Sequence, residues 1–140
     1  MELLFISRDA LASSLTGIIL AAIAARKAGR AVGILFTQEA LRAVTQGFYR
    51  WPEELRGQEV RWQLADAAKE MGLPILGRGE GRQLDVRGLL ELARQEGVAL
   101  YACPIWTRLL GLSVAPPLEK VSENELLSWL AGPTRILGTL

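Results

Sequence analysis

Residues 2–36, ELLFISRDALASSLTGIILAAIAARKAGRAVGILF, set two short apolar runs on either side of a long alanine-rich one. Glu2 to Ile6 reads as a first strand and Ser7-Arg8-Asp9 as the turn that ends it. Asp9 is placed to cap a helix over residues 10–28, Arg26 and Lys27 suit the negative end of its dipole, and Gly29 stops it. Residues 31–36 form a second buried strand. Strand, helix and strand in so short a span make a βαβ unit, with parallel strands and a right-handed crossover. The apolar run 10–25 invites a membrane reading, but it falls short of the roughly 20 residues a span needs and contains Ser13, Ser14, Thr16 and Gly17. It reads as a buried helix packed closely through small residues.

The same alternation continues along the chain. Thr37 is placed to cap a short helix over residues 38–46 that Gly47 ends. Phe48, Tyr49 and Trp51 then crowd a stretch without clean period, where they pack on their own domain or form a subunit contact. Val60, Leu64, Ala67 and Met71 recur at helical spacing and predict a helix over 58–71. The loop GRGEGR, residues 77–82, has glycines at alternate positions but no Gly-Lys-Ser/Thr, so it is no P-loop and reads as a surface loop of glycine and charge. Asp85 caps a helix over 86–96 with Val86, Leu89, Leu90 and Ala93 on its apolar face.

The stretch VALYACPIWTRLLGL, residues 98–112, carries the candidate chemistry. Val98 to Ala102 is a strand covered on both faces, and Pro104 suits the first position of a helix, so Cys103 lies at or beside the N-cap. A sulfur there faces unpaired N–H groups and the positive end of a helix dipole, both of which favour thiolate over thiol. A buried free cysteine is also a common small hydrophobe. Further on, Pro116 and Pro117 leave room only for a short strand near residues 118–121, Ser122 and Glu125 make a capping box for a helix through Ala131, and residues 135–138 supply a last strand. Five strands alternating with helices predict one domain over residues 1–140, a three-layer α/β/α sandwich on a five-stranded, mainly parallel sheet.

Composition removes several classes of function. Lys and Arg number 16 against 15 Asp and Glu, which gives no basic surface for nucleic acid. With no histidine and one cysteine, the chain has no Cys-His pair, histidine base, intrachain disulfide, CxxC redox pair or cysteine zinc site. No metal or cofactor is expected. Thiol chemistry on Cys103 must finish on a partner, and an unpaired thiol suits a reducing cytoplasm.

Glu91, Leu92, Ala93, Gly97, Val98, Tyr101, Ala102 and Cys103, followed after seven residues by Gly111, resemble the signature of the DsrE/DsrF-like family. The likeness follows the order of elements over nearly the whole chain, is specific around residues 84–112, and leaves out residues 46–83. It implies a DsrE/F-like, flavodoxin-like fold and homotrimers or homohexamers. It also implies sulfur-relay chemistry of the TusD and DsrE type, in which a cysteine takes a sulfane sulfur as a persulfide from a donor protein and passes it to an acceptor. That role maps onto Cys103. Where several relay proteins have small residues after the cysteine, this chain has Pro104, Ile105 and Trp106.

A persulfide-forming sulfurtransferase is therefore the leading expectation, with Cys103 as the nucleophile and Arg8 as the cation beside it. Ser7, Thr37, Gln38, Pro104 and Trp106 are placed to line the substrate site at the carboxyl edge of the sheet. For Arg8 the alternative is a solvated turn residue paired with Asp9 or Glu39. Two rivals stand beside the carrier: a non-catalytic subunit of the family whose Cys103 is buried and inert, and a thiol-dependent redox protein of the loosely labelled peroxiredoxin kind. The redox rival needs a resolving thiol that this chain lacks.

Overall fold

The computed structural model describes residues 1–138. In chain order its elements are β1 (Leu3–Ser7), α1 (Ala12–Lys27), β2 (Val32–Phe36), α2 (Gln38–Gln46), α3 (Gln58–Glu70), β3 (Ile75–Leu76), β4 (Gln83–Leu84), α4 (Val86–Gln95), β5 (Ala99–Ala102), α5 (Pro104–Leu109), β6 (Glu119–Lys120), α6 (Glu123–Ala131) and β7 (Arg135–Leu137). Five strands form one sheet in the order β6-β5-β2-β1-β7, every neighbouring pair parallel. The expected α/β sandwich is thus the observed fold.

The crossovers decide which helix covers which face. Steps from β1 to β2, β5 and β6 all move one way across the sheet, whereas β6 to β7 returns past all of them. With right-handed crossovers, the helices of the first steps share a face and α6 takes the opposite one. The side chains agree. Phe5, Ile34, Phe36 and Leu100 pack with Leu15, Ile18 and Ile19 of α1, Leu41 of α2 and Leu89 of α4. On the reverse side Leu4, Leu35 and Cys103 pack with Val121 and with Leu126 of α6. The first face is a deep core, and each fully buried Leu, Ile or Phe in it contributes roughly 1.5–3 kcal/mol. That burial, rather than helix propensity, holds α1 in place. No helix among the described residues is long and apolar enough to cross a membrane.

Several local expectations need correction. Helix α1 starts at Ala12, not at residue 10, because the Asp9 carboxylate accepts the Leu11 N–H (2.9 Å) in an Asx turn outside the helix. The backbone of Arg50 seats on that turn, donating to the Ala10 carbonyl (3.1 Å) and accepting from the Ala12 N–H (2.8 Å). Thr37 occupies the N-cap of α2, but its side chain makes no capping hydrogen bond. In α3 the buried residues are Ala65 and Ala68, while Met71 lies outside the helix and exposed. The loop 77–82 closes a hairpin between β3 and β4, with a 3-10 turn at Gly79–Gly81. Gly77 is required there: its φ is 71°, and a Cβ would lie 2.5 Å from the Gly81 carbonyl oxygen.

Both caps read from sequence in the second half form. Ser122 and Glu125 complete the reciprocal capping box of α6, and the Asp85 carboxylate accepts the Gly88 N–H (2.9 Å) at the start of α4. Asp85→Ala should therefore lower stability by about 1 kcal/mol in urea melts, the usual worth of an N-cap acceptor. A change below about 0.3 kcal/mol would show that the bond contributes nothing net.

Candidate functional site

Three strand ends meet at the carboxyl edge of the sheet. Ser7 stands opposite Phe36 in the β1–β2 ladder and Phe36 opposite Ala102 in the β2–β5 ladder. Two backbone hydrogen bonds extend the pairing one residue further: the Thr37 N–H donates to the Ser7 carbonyl (3.0 Å) and the Cys103 N–H to the Phe36 carbonyl (2.9 Å). The Ala40 N–H donates to the Arg8 carbonyl (3.1 Å), tying the first turn of α2 to the end of β1. The backbones of Ser7, Arg8, Thr37, Gln38 and Cys103 are thus gathered at one edge.

Their side chains divide between the two faces. Phe5 points toward α1, so alternation sends Ser7 the same way, whereas Cys103 points into the cluster beneath α6. Thr37 is extended (φ −138°, ψ 162°) and follows Phe36, which faces α1 and α2; its side chain is therefore on the Cys103 side. Ser7 is 1% exposed and its hydroxyl has no hydrogen-bond partner among the described residues. Gln38 has φ 53°, the left-handed region, at the first position of α2. For a residue with a Cβ that conformation costs about 1–2 kcal/mol. The bonds into the carbonyls of Ser7 and Arg8 on either side hold it there. Nothing in the sequence signals this strain, since Gln has no preference for such a position.

Cys103 is the N-cap of α5 and Pro104 its first residue, as the sequence implies. Its carbonyl accepts both the Thr107 N–H (2.9 Å) and the Thr107 hydroxyl (2.7 Å), which fixes the start of the helix. The residue is 6% exposed and packs among Leu4, Leu35, Val121 and Leu126, with the half-buried Trp106 and Trp129 around them. Tyr101, on the same face, lies against Trp129 with ring centroids 4.8 Å apart. Burial, with Glu119 and Glu125 nearby, pushes the Tyr101 phenol above its ordinary range. It stays protonated at neutral pH.

Neither a protein-family model nor a curated protein matches the chain.

Arg8 is exposed and its side chain pairs with neither Asp9 nor Glu39 among the described residues. It leaves β1, two strands or about 10 Å across the sheet from β5. No group of three or more His, Cys, Asp or Glu side chains that could hold a metal occurs among the described residues. The residues that enclose the sulfur, Leu4, Leu35, Val121 and Leu126, were not legible as site residues; their only signal is the period-2 alternation that puts Leu4 and Leu35 opposite Phe5 and Phe36.

Proposed function

We propose that this protein is a cytoplasmic sulfur carrier that holds a persulfide on Cys103 and works as a homo-oligomer. The observation that carries the reading is the place of the chain's single thiol, at the head of α5 on the carboxyl edge of a parallel sheet, beside the end of β2. In open α/β sheets that edge is where ligands bind. The likeness of residues 91–111 to the DsrE/DsrF signature supports it from sequence.

The transfer balances without an external oxidant. The Cys103 thiolate attacks the outer sulfur of a donor persulfide; the donor S–S bond breaks, the donor leaves as its thiolate, and Cys103 carries the extra sulfur. An acceptor thiolate then attacks that outer sulfur and releases Cys103 as thiolate. With no histidine in the chain, Arg8 is the cation proposed to steady the anion, and Thr37, Gln38, Pro104 and Trp106 are the residues proposed to border the entry.

Self-association has support in the distribution of apolar surface, though not from the aromatics that suggested it. Tyr49, Trp51 and Trp106 pack against their own core, and of the six large aromatics outside the strands only Phe48 is exposed. Leu127, 60% exposed, and Leu130 lie at i, i+3 spacing on α6, and Ile136 and Leu137 are exposed on the edge strand β7. The resemblance implies a trimer or hexamer, and light scattering at micromolar concentration checks it.

A second reading has its own observation. A cysteine 6% exposed among leucines and valine is what an inert structural subunit would contain. Incubation with polysulfide followed by intact mass measurement separates the two. The carrier gains about 32 Da per transferred sulfur, and Cys103→Ser gains nothing while keeping its circular dichroism spectrum. No adduct on wild type, together with slow alkylation at about pH 8, leaves the structural subunit in its place.

A further inference from the structure

Residues 51–83, which lie outside the family resemblance, enclose together with Leu84 a cavity of about 210 Å³ between the chain after α2, the helix α3 and the strand β4. Trp51, Leu55, Leu64 and Leu84 form its apolar walls. Its polar lining is Arg56, Arg61 and Gln83, with no carboxylate among them. Backbone carbonyls hold both guanidinium groups: Arg56 Nε donates to the Trp51 carbonyl (2.9 Å) and Arg61 Nη2 to that of Glu80 (3.0 Å). The Trp62 indole N–H donates to the same Glu80 carbonyl (3.0 Å), which anchors the hairpin turn against α3.

Charge distinguishes these two arginines from their neighbour. Arg82 is bonded to both carboxylate oxygens of Asp66 (2.8 and 3.2 Å) and lies 4.9 Å from the Trp62 ring centroid, so its charge is already matched. Arg56 and Arg61 have no carboxylate partner among the described residues. Arg61 Nε is also buried, with no hydrogen-bond partner among the described residues. A buried charged donor left unpaired is costly, and a native site usually supplies an acceptor for it.

We infer that this cavity binds a small organic carboxylate, its carboxyl group on Arg56 and Arg61 and its apolar body against Trp51 and the three leucines. Guanidinium forks match planar carboxylates in two-point hydrogen bonds. At about 210 Å³ the space has room for a ring or branched chain of a few carbons. Inorganic phosphate would leave the leucine walls unused. The inference is independent of the chemistry assigned to Cys103.

Isothermal titration of the full-length protein with sodium benzoate and with sodium isovalerate tests it, with benzamide as the uncharged analogue and inorganic phosphate as the anion without an apolar body. At least one carboxylate should bind with Kd of about 1 mM or tighter, with benzamide and phosphate each at least about tenfold weaker. Arg61→Gln and Arg56→Gln should each weaken the bound carboxylate by about tenfold or more while keeping the wild-type circular dichroism spectrum, and Cys103→Ser should bind as wild type does. No heat from either carboxylate up to about 20 mM, benzamide or phosphate binding as tightly, or both arginine variants binding as wild type would overturn the assignment.

Discussion

Phe36→Ala should remove about 3–5 kcal/mol of stability, the largest loss expected from any single truncation in this chain. Phe36 is fully buried at the end of β2, the central strand, with β1 and β5 paired on either side of it. Its ring fills the space where the sheet meets α1 and α2, and both helices are themselves anchored there by buried residues. The walls cannot close without moving the sheet, so the deletion leaves a cavity on top of the lost transfer energy. In a chain of this size the melting temperature should fall by about 10–20 °C, and the urea midpoint should drop with an unchanged slope. A loss below about 1 kcal/mol would mean that the side chain is not in the core.

The sheet and its main helices were legible because their signals are local. The runs of apolar residues around residues 3–7, 32–36 and 99–102 cannot face water on either side, and Gly29, Gly47 and Gly97 mark the stops by positive φ. Pro104 after Cys103, and Ser122 with Glu125, fixed two helix starts for the same reason: the cap is written within four residues of itself. The failures are tertiary. The buried residues of α3 are Ala65 and Ala68, one position on from the Leu64 and Ala67 that helical spacing put on its apolar face. The β3–β4 hairpin has two residues per strand, too few for any period to show. Arg56 and Arg61 look like ordinary surface charge in the sequence; only the fold brings them with Trp51 and Leu84 around one space.

The Cys103 site shows the same division. Its place at the head of a helix and at the edge shared with Ser7 and Thr37 follows from strand, proline and parallel topology. Its enclosure does not, since the covering helix is α6, some twenty residues later, and α6 reaches that face only because the chain crosses back to pair β7 with β1. The reactivity of the thiol is thereby coupled to how firmly α6 is seated.

Leu126→Ala should expose that coupling. Leu126 is the one buried residue of α6 and belongs to the cluster that contains Cys103, Leu4 and Leu35, while Leu127 and Leu130 on the same helix are exposed. Truncating it should cost about 2–3 kcal/mol, at the low end for a buried leucine because the cluster lies under a single helix and can partly collapse. In the isolated subunit, alkylation of a buried thiol proceeds through local opening, so its rate follows the opening equilibrium when reclosing is fast. If undocking α6 is the opening that uncovers the sulfur, a penalty of about 2 kcal/mol that falls on that step raises the rate about thirtyfold, at tenfold per roughly 1.4 kcal/mol. Iodoacetamide labelling followed by mass measurement, beside a urea melt of the same variant, reads both quantities. A stability loss of the expected size with labelling no faster than wild type would show that reagents reach Cys103 through its remaining exposed surface, with α6 no part of the gate.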